Sequence, residues 1–181
     1  VIAADVPVLS LTEAKSAAPG DVVISDAVVT RVHSERFNVE ASNRSAGMAV
    51  LGEGVSRGKS VSVFGSLSST ADDERVLELV QLISEQEAVA PAPLGIGGRS
   101  VGGGGNLGLQ PGCTGSIGPN NIGLDVVVWG KVTAYDESID RTWITIDDGS
   151  GRESGMGSPG IKIQGPAIWG NGRRVGEIVR V

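Results

Sequence analysis

Apolar and polar residues alternate along much of this chain, in short runs separated by turns. The alternation is clearest in the segment 125–148, where apolar or small residues fill every second position on both sides of a polar turn. These residues are Val126, Val128, Gly130 and Val132 before the turn and Ile144 and Ile146 after it. A period of two is that of a half-buried strand, so the segment predicts a β-hairpin.

The segment 125–148 repeats the pattern of an earlier segment, 21–40. The corresponding pairs are Val29-Thr30 with Val132-Thr133, Phe37 with Ile144, Val39 with Ile146, and Glu40 with Asp147. The spacing of a little over one hundred residues is too long for a solenoid and fits two tandem domains. We therefore expect the function to depend on both copies.

The first copy is predicted to hold a short helix and five strands. Ser10-Leu11-Thr12-Glu13 has the form of a capping box, and Pro19-Gly20 stops the helix that follows it. Strands are predicted at 22–29, 36–41, from 47 onward, within 58–65, and at 75–82. Five short strands with one small helix predict a closed barrel of the oligonucleotide/oligosaccharide-binding (OB) type.

The second copy is predicted to lack a strand. It begins at residue 122, after a Gly- and Pro-rich connector, 86–121, which is expected to be a linker, an ordered loop packed on a barrel, or both. Its last two strands, at 160–163 and 176–181, correspond to 47–50 and 58–63. No counterpart of 75–82 follows. The predicted fold is all-β, with two tandem OB-like barrels at 10–85 and 122–181, the second without its last strand.

The segment 1–9 belongs to neither copy and is a candidate for the missing strand. Its four apolar residues of one parity would form one face: Ile2, Ala4, Val6 and Val8. Pro7 has no backbone donor and confines such a strand to an edge. A frayed terminus is the alternative. The acceptor edge is predicted to comprise Ile161, Ile163, Ile178, Val179 and Val181.

Composition excludes several classes of function. A net charge of −6 argues against nucleic acid, whose binding depends on clustered Lys and Arg. No apolar run is long enough to span a membrane. Cys113 is the single cysteine, which excludes an internal disulfide and a cysteine-based metal cluster. Because the chain begins at Val1, we expect either a processed protein or an excised fragment.

Three motifs resemble catalytic or metal-binding signatures, and each departs from its template. Gly98-Arg99-Ser100-Val101-Gly102 lacks a following helix and a downstream histidine, since His33 is the only one. Gly58-Lys59-Ser60 has Glu53 where a phosphate loop requires glycine. The run 147–151 lacks the spacing of a calcium loop. We expect no enzymatic activity, no metal and no cofactor.

Two tryptophans are predicted to point away from the core of the second copy. Trp129 and Trp143 are out of phase with their apolar neighbours, and with Val127 they would form an apolar interface patch. The alternative is that the connector covers them.

Several turn and strand signatures resemble those of tandem OB-like β-barrel repeats in secreted proteins of environmental bacteria. They are Asn43-Arg44-Ser45-Ala46-Gly47, Pro93-Leu94-Gly95, the run 118–124, Trp129-Gly130-Lys131-Val132-Thr133 and the run 146–151. The chain is also similar to the barrel pili of hot-spring bacteria, whose tandem barrels are joined by donated strands. The resemblance implies an extracellular or cell-surface location, and the missing strand favours the pilus-like interpretation.

The function predicted from the sequence is therefore a structural subunit of an extracellular, pilus-like filament. Its partner is another copy, joined head-to-tail when the segment 1–9 of one molecule fills the incomplete barrel of the next. The alternative is an OB-type glycan- or nucleic-acid-binding module of a larger secreted protein; acidity and few aromatic residues weigh against nucleic acid and leave a glycan open. Insertion of the strand into its own molecule is a third possibility.

Overall fold

The computed structural model describes residues 5–138, 142–155, 157–165 and 174–181. In the first part of the chain they form β1 Val8–Leu9, α1 Leu11–Ser16, β2 Gly20–Val32, β3 Arg36–Glu40, β4 Gly47–Leu51, β5 Lys59–Ser69 and β6 Arg75–Glu87. The later elements are β7 Leu94–Gly95, a 3-10 turn at Gly98–Ser100, β8 Val126–Val127, β9 Trp129–Tyr135, β10 Trp143–Asp147, β11 Ile161–Gln164 and β12 Ile178–Arg180. The protein is nearly all β, as predicted.

Helix α1 is stabilised at its N-terminus by a capping box. The Ser10 hydroxyl accepts from the Glu13 N–H, and the Glu13 carboxylate accepts from the Ser10 N–H at 2.8 Å. This is the predicted capping box, which satisfies two backbone donors that the helix itself cannot. Leu11 and Ala14 are buried and fix the helix against the barrel core.

Strands β2 to β6 close into a five-stranded barrel, which confirms the predicted barrel. Strand β2 pairs with β3, β3 with β4, β4 with β6 in parallel, and β6 with β5, which returns to β2. The thirteen residues of β2 pair with two other barrel strands, since 20–28 pair with β5 and 28–32 with β3. The register shifts between Ile24 and Ala27, where Asp26 has φ 55°. Such a bulge bends one long strand around a small barrel.

Strands β9 to β12 form a second, four-stranded antiparallel sheet in the order β11-β10-β9-β12. Its inner face packs a small core of Val128, Val132, Ile144, Ile146, Ile161 and Val179. The two outer strands, β11 and β12, pair with no further strand among the described residues. The sheet that these residues form is therefore open.

The connector is ordered and packs against both units. Leu107 contacts the barrel core, whereas Ile96 and Val101 contact the core of the second sheet. Strand β7 pairs in parallel with β8. The connector thus fixes the second sheet against the barrel instead of tethering it loosely.

A buried polar cluster anchors the connector to the barrel. The Gln110 side-chain oxygen accepts from the Arg75 backbone N–H at 2.7 Å and from the Lys15 ammonium at 3.3 Å. Lys15 also donates to the Ile122 carbonyl at 3.1 Å. Lys15, Arg75 and Gln110 are each almost wholly inaccessible to water. Burial lowers the pKa of Lys15 to about 8, with Glu74 opposing and Arg75 adding to the shift.

The shifted lysine predicts that stability rises with pH in an alkaline window. Between about pH 8 and pH 10.5, the unfolded chain keeps a proton that the folded protein has lost. Relative to Lys15→Met, the free energy of unfolding of the native protein should rise by up to roughly 3 kcal/mol across this window. Urea unfolding at a series of pH values measures the difference. If the difference in unfolding free energy between the two proteins stays constant with pH, Lys15 is not a buried group with a lowered pKa.

Two glycines bring the barrel and the connector into backbone contact. A Cβ added at Gly123 would lie 2.5 Å from the Gly47 carbonyl oxygen, whereas one added at Gly118 would meet nothing within 4 Å. Gly123 and Gly118 both have a positive φ, 92° and 81° respectively. Gly118→Ala therefore introduces a similar backbone strain without the clash and is a matched control.

We expect Gly123→Ala to reduce the free energy of unfolding by about 1–3 kcal/mol more than Gly118→Ala, because close-packed backbones cannot accommodate the added methyl group. Chemical denaturation of both variants measures this. Equal losses would mean that the contact with Gly47 is not needed.

Candidate functional site

The second sheet reproduces the strand pairing of the barrel up to the position of β6. Phe37 pairs with Val50 in the barrel, and Ile144 pairs with Ile163 in the second sheet. Val28 pairs with Ser60, and Lys131 pairs with Ile178. In the barrel, β6 lies between β4 and β5. The strands in the corresponding places, β11 and β12, have no strand between them in the described part of the chain.

The register shift between the first two strands also recurs. In the barrel it falls between Val29 and Arg31, and in the second sheet between Val132 and Ala134. In both places a threonine, Thr30 or Thr133, is the residue left out of the ladder. The two sheets therefore place their edges in comparable positions.

A cleft of about 600 Å³ lies between the open side of the second sheet and one end of the barrel. The second sheet and its flanks contribute Val126, Val128, Ile163, Gln164, Gly165 and Val181. The β2–β3 turn and the junction contribute Arg31, Val32, His33, Leu124 and Asp125. The cleft combines apolar walls with a polar rim, which suits an extended peptide whose side chains alternate.

The predicted acceptor residues take three different positions. Ile163 and Val181 are half-buried and line the cleft. Ile161 and Val179 are buried in the core of the sheet. Ile178 is 79% exposed on the opposite face. The structure brings Ile163 and Val181 to the cleft and leaves Ile178 outside it.

The junction residue Asp125 holds the barrel against the cleft. Its carboxylate accepts from the Arg31 guanidinium at 2.8 Å, and its backbone N–H donates to the Glu40 carboxylate. Burial raises the pKa of Glu40, while the bond from Asp125 opposes the shift. These contacts join residues 85 and 94 positions apart in sequence. The local sequence pattern gives no indication of such long-range contacts, so Arg31 and Asp125 were not predicted as site residues.

The rim of the cleft also carries His33, next to Arg31 and Arg36 in the β2–β3 turn. Burial lowers the pKa of His33, and the positive charges of Arg36 and Arg31 lower it further. Glu35 in the same turn, and Asp125 in its ion pair with Arg31, offset these positive charges.

The N-terminal segment is partly paired within its own molecule. Val8 and Leu9 pair in parallel with Val23 and Ile24, and the Pro7 carbonyl accepts from the Val23 N–H at 2.9 Å. Leu9 packs on the barrel core, whereas Val8 is 65% exposed. Val6 is half-buried, and Ile2 and Ala4 lie outside the described residues. The sequence pattern missed this two-residue pairing because so short a parallel ladder has no local signature.

The predicted tryptophan patch is divided in two. Trp129 begins β9, whereas Trp143 lies level with the other end of that strand, where the Asp136 N–H donates to the Trp143 carbonyl. Seven residues of strand put the two backbone positions roughly 20 Å apart. Trp129 is 50% exposed and lies over Gly95 beside the half-buried Val127, and the Lys162 ammonium lies 5.5 Å from the Trp143 ring centre.

The catalytic and metal motifs gain no support from the fold. Gly98–Ser100 is a 3-10 turn, whose Gly98 N–H donates to the Asp148 carboxylate at 2.7 Å. Within the described ranges, no group of three or more His, Cys, Asp or Glu side chains is placed to bind a metal ion. The helices described there are all too short to cross a membrane.

Comparisons of the chain with protein-family models, with curated proteins and with solved structures find no match. The cleft and the open edges of the second sheet are therefore the features of this chain that bear on its function.

The open cleft predicts a difference in thiol reactivity at two paired residues. In a Cys113→Ser background, Ile163→Cys should react with a soluble thiol reagent at least tenfold faster than Ile144→Cys. Ile163 lines the cleft, whereas its ladder partner Ile144 is 1% exposed in the core. Labelling of dilute protein followed by mass spectrometry measures both rates. Equally slow labelling would show that the cleft is closed.

Proposed function

We propose that this protein is a structural subunit of an extracellular filament. The N-terminal segment of one molecule completes the second sheet of the next molecule. The observation that carries the proposal is the cleft of about 600 Å³ at β11 and the end of β12, two strands whose counterparts in the barrel, β4 and β5, both pair with β6. An unpaired strand edge is a template for strand addition.

The shared pairing supports the interpretation of the two units as a tandem repeat of OB-like barrels. The closed unit is a five-stranded barrel in which β4 and β6 are parallel neighbours, and the open sheet repeats its register and its bulge. In this view the second unit is the same barrel without β6. A strand from outside would restore it.

The direction of β1 favours donation between molecules. Because β1 is parallel to β2, the residue before it, Pro7, lies toward the Gly20 end of β2, while the cleft lies at the Val32 end. While β1 stays paired, the chain before it is therefore directed away from its own cleft.

Donor and acceptor at opposite ends of a molecule generate a head-to-tail chain. Such contacts are heterologous and extend into a filament unless the rotation between subunits closes a ring. The extracellular location is part of the proposal and is supported by the resemblance to barrel pili.

Strand donation alone gives little net free energy. Burial of Ile2 and Val6 contributes roughly 1.5–3 kcal/mol each, and each ladder hydrogen bond adds about 1 kcal/mol. Ordering the segment costs on the order of 1–2 kcal/mol per residue, which nearly cancels these gains. We therefore expect assembly to depend on concentration and to use further contact between subunits, for which the half-exposed Trp129 is available.

The second candidate function is glycan binding, which the same half-exposed Trp129 over Gly95 supports, since exposed rings stack on sugars. It requires no assembly. The experiment below separates the two functions.

Two neighbouring substitutions of opposite parity test the proposal. Ile2→Asp places a charge on the face that enters the cleft, whereas Val1→Asp places the same charge on the outward face. Light scattering and negative-stain microscopy should show concentration-dependent filaments for the native chain and for Val1→Asp, and monomers for Ile2→Asp. A variant lacking residues 1–6, which keeps β1, should also remain a monomer.

A native chain that stays monomeric at all concentrations would overturn the filament proposal, and titration with soluble glycans would then test the second candidate. Filaments formed equally by Ile2→Asp and by the truncated chain would show that assembly does not use the segment 1–7.

A further inference from the structure

The barrel supplies a template for how a fifth strand enters this fold. Strand β6 first runs parallel to β4, pairing Val76 with Ala49 and Glu78 with Leu51. On its other side β6 pairs antiparallel with β5 along its whole length, from Arg75 with Ser69 to Glu87 with Lys59. A strand that completes this barrel therefore has the third strand beside its first residues only and the fourth strand beside all of them.

The path of β6 can be transferred to the second sheet because the two sheets share the register of their other strands. Ile163 takes the place of Val50, since each pairs with the corresponding residue of the preceding strand, Ile144 or Phe37. Val179 takes the place of Val61, because Gly130 and Ala27 are their partners. Two residues further on, Val181 takes the place of Val63.

We propose that the incoming segment runs parallel to β11 and antiparallel to β12, with its first residues beside β11 and its last beside β12. This inference rests on the proposed function, and it assigns direction, register and chemistry to the partner strand. Residue 1 lies beside Lys162 and residue 2 beside Ile163. Residue 7 lies near Val181 and Arg180.

The side chains of the segment fit this register. In β6 the residues that face the barrel core are Leu77, Leu79 and Leu82. In the proposed register Ile2 takes the place of Leu77, and Ala4 takes that of Leu79. Val6 takes the place of Leu82, because one residue separates Ala4 from Val6, whereas β6 has two residues between Leu79 and Leu82, one of them at a bulge. The segment thus presents an apolar residue at each position where the template strand does. The reversed direction would place Pro7 beside β11, where β6 begins its parallel ladder.

Disulfide trapping between full-length chains tests the direction. All chains carry Cys113→Ser, and donors carry either Val1→Cys or Pro7→Cys, both on the outward face. Acceptors carry either Lys162→Cys on β11 or Arg180→Cys on β12, both exposed on the outer face of the sheet. Each donor is mixed with each acceptor under mild oxidation, and cross-linked dimers are measured by non-reducing electrophoresis and peptide mass spectrometry.

We expect at least tenfold more dimer for Val1→Cys with Lys162→Cys and for Pro7→Cys with Arg180→Cys than for the two crossed combinations. The opposite preference, or equal yields in all four, would overturn the proposed direction while leaving strand donation intact. If no combination cross-links and the native chain does not assemble, the proposed function fails and this inference fails with it.

Discussion

Backbone hydrogen bonding at the two edges of the second sheet is the constraint on which the rest of this structure depends. A buried strand edge without partners loses the free energy of each unpaired N–H and C=O. The barrel solves this by closing β6 between β4 and β5. Among the described residues, the second sheet has the same two neighbours, β11 and β12, without the strand between them. Its apolar cleft and its open edges occur together, and one extended segment would satisfy both.

The connector turns this open sheet into a defined site. Gln110 links Lys15 and Arg75 at one side of the barrel, and Asp125 links Arg31 and Glu40 at the other. Because Asp125 adjoins β8 and the cleft, these contacts make one end of the barrel a wall of the cleft. An incoming strand would therefore contact both units of the acceptor. In the proposed assembly, such a double contact would add to the small net free energy of strand addition alone.

The sequence predicted the closed barrel and helix α1 because their signals are local. Alternation fixes which residues of 22–29 face inward, and the capping box of Ser10 and Glu13 fixes where α1 begins. Two features had no local signal. Lys15 and Arg75 belong to residue types that are usually exposed, and only the packed connector buries them. The positions of Trp129 and Trp143 at opposite ends of a ladder depend on register, which alternation does not specify.

The lining of the cleft was predicted in part for the same reason. Ile163 and Val181 could be named from the correspondence with the barrel strands, and both line the cleft. The rim formed by Arg31, His33 and Asp125 could not, because it joins elements distant in sequence. The pairing of Val8 and Leu9 with β2 also escaped prediction. It gives the chain before Pro7 a direction away from its own cleft.

The measurement that tests the central claim most directly is amide hydrogen exchange of β11 and β12 in dilute and in concentrated protein. An open barrel completed by another molecule predicts that the outer-edge amides of both strands exchange rapidly in the monomer. They should become protected as concentration rises, while the amides of β4 and β6 stay protected throughout. Outer-edge amides of β11 and β12 that are already protected in the monomer would contradict the account, because the second sheet would then need no strand from a neighbour.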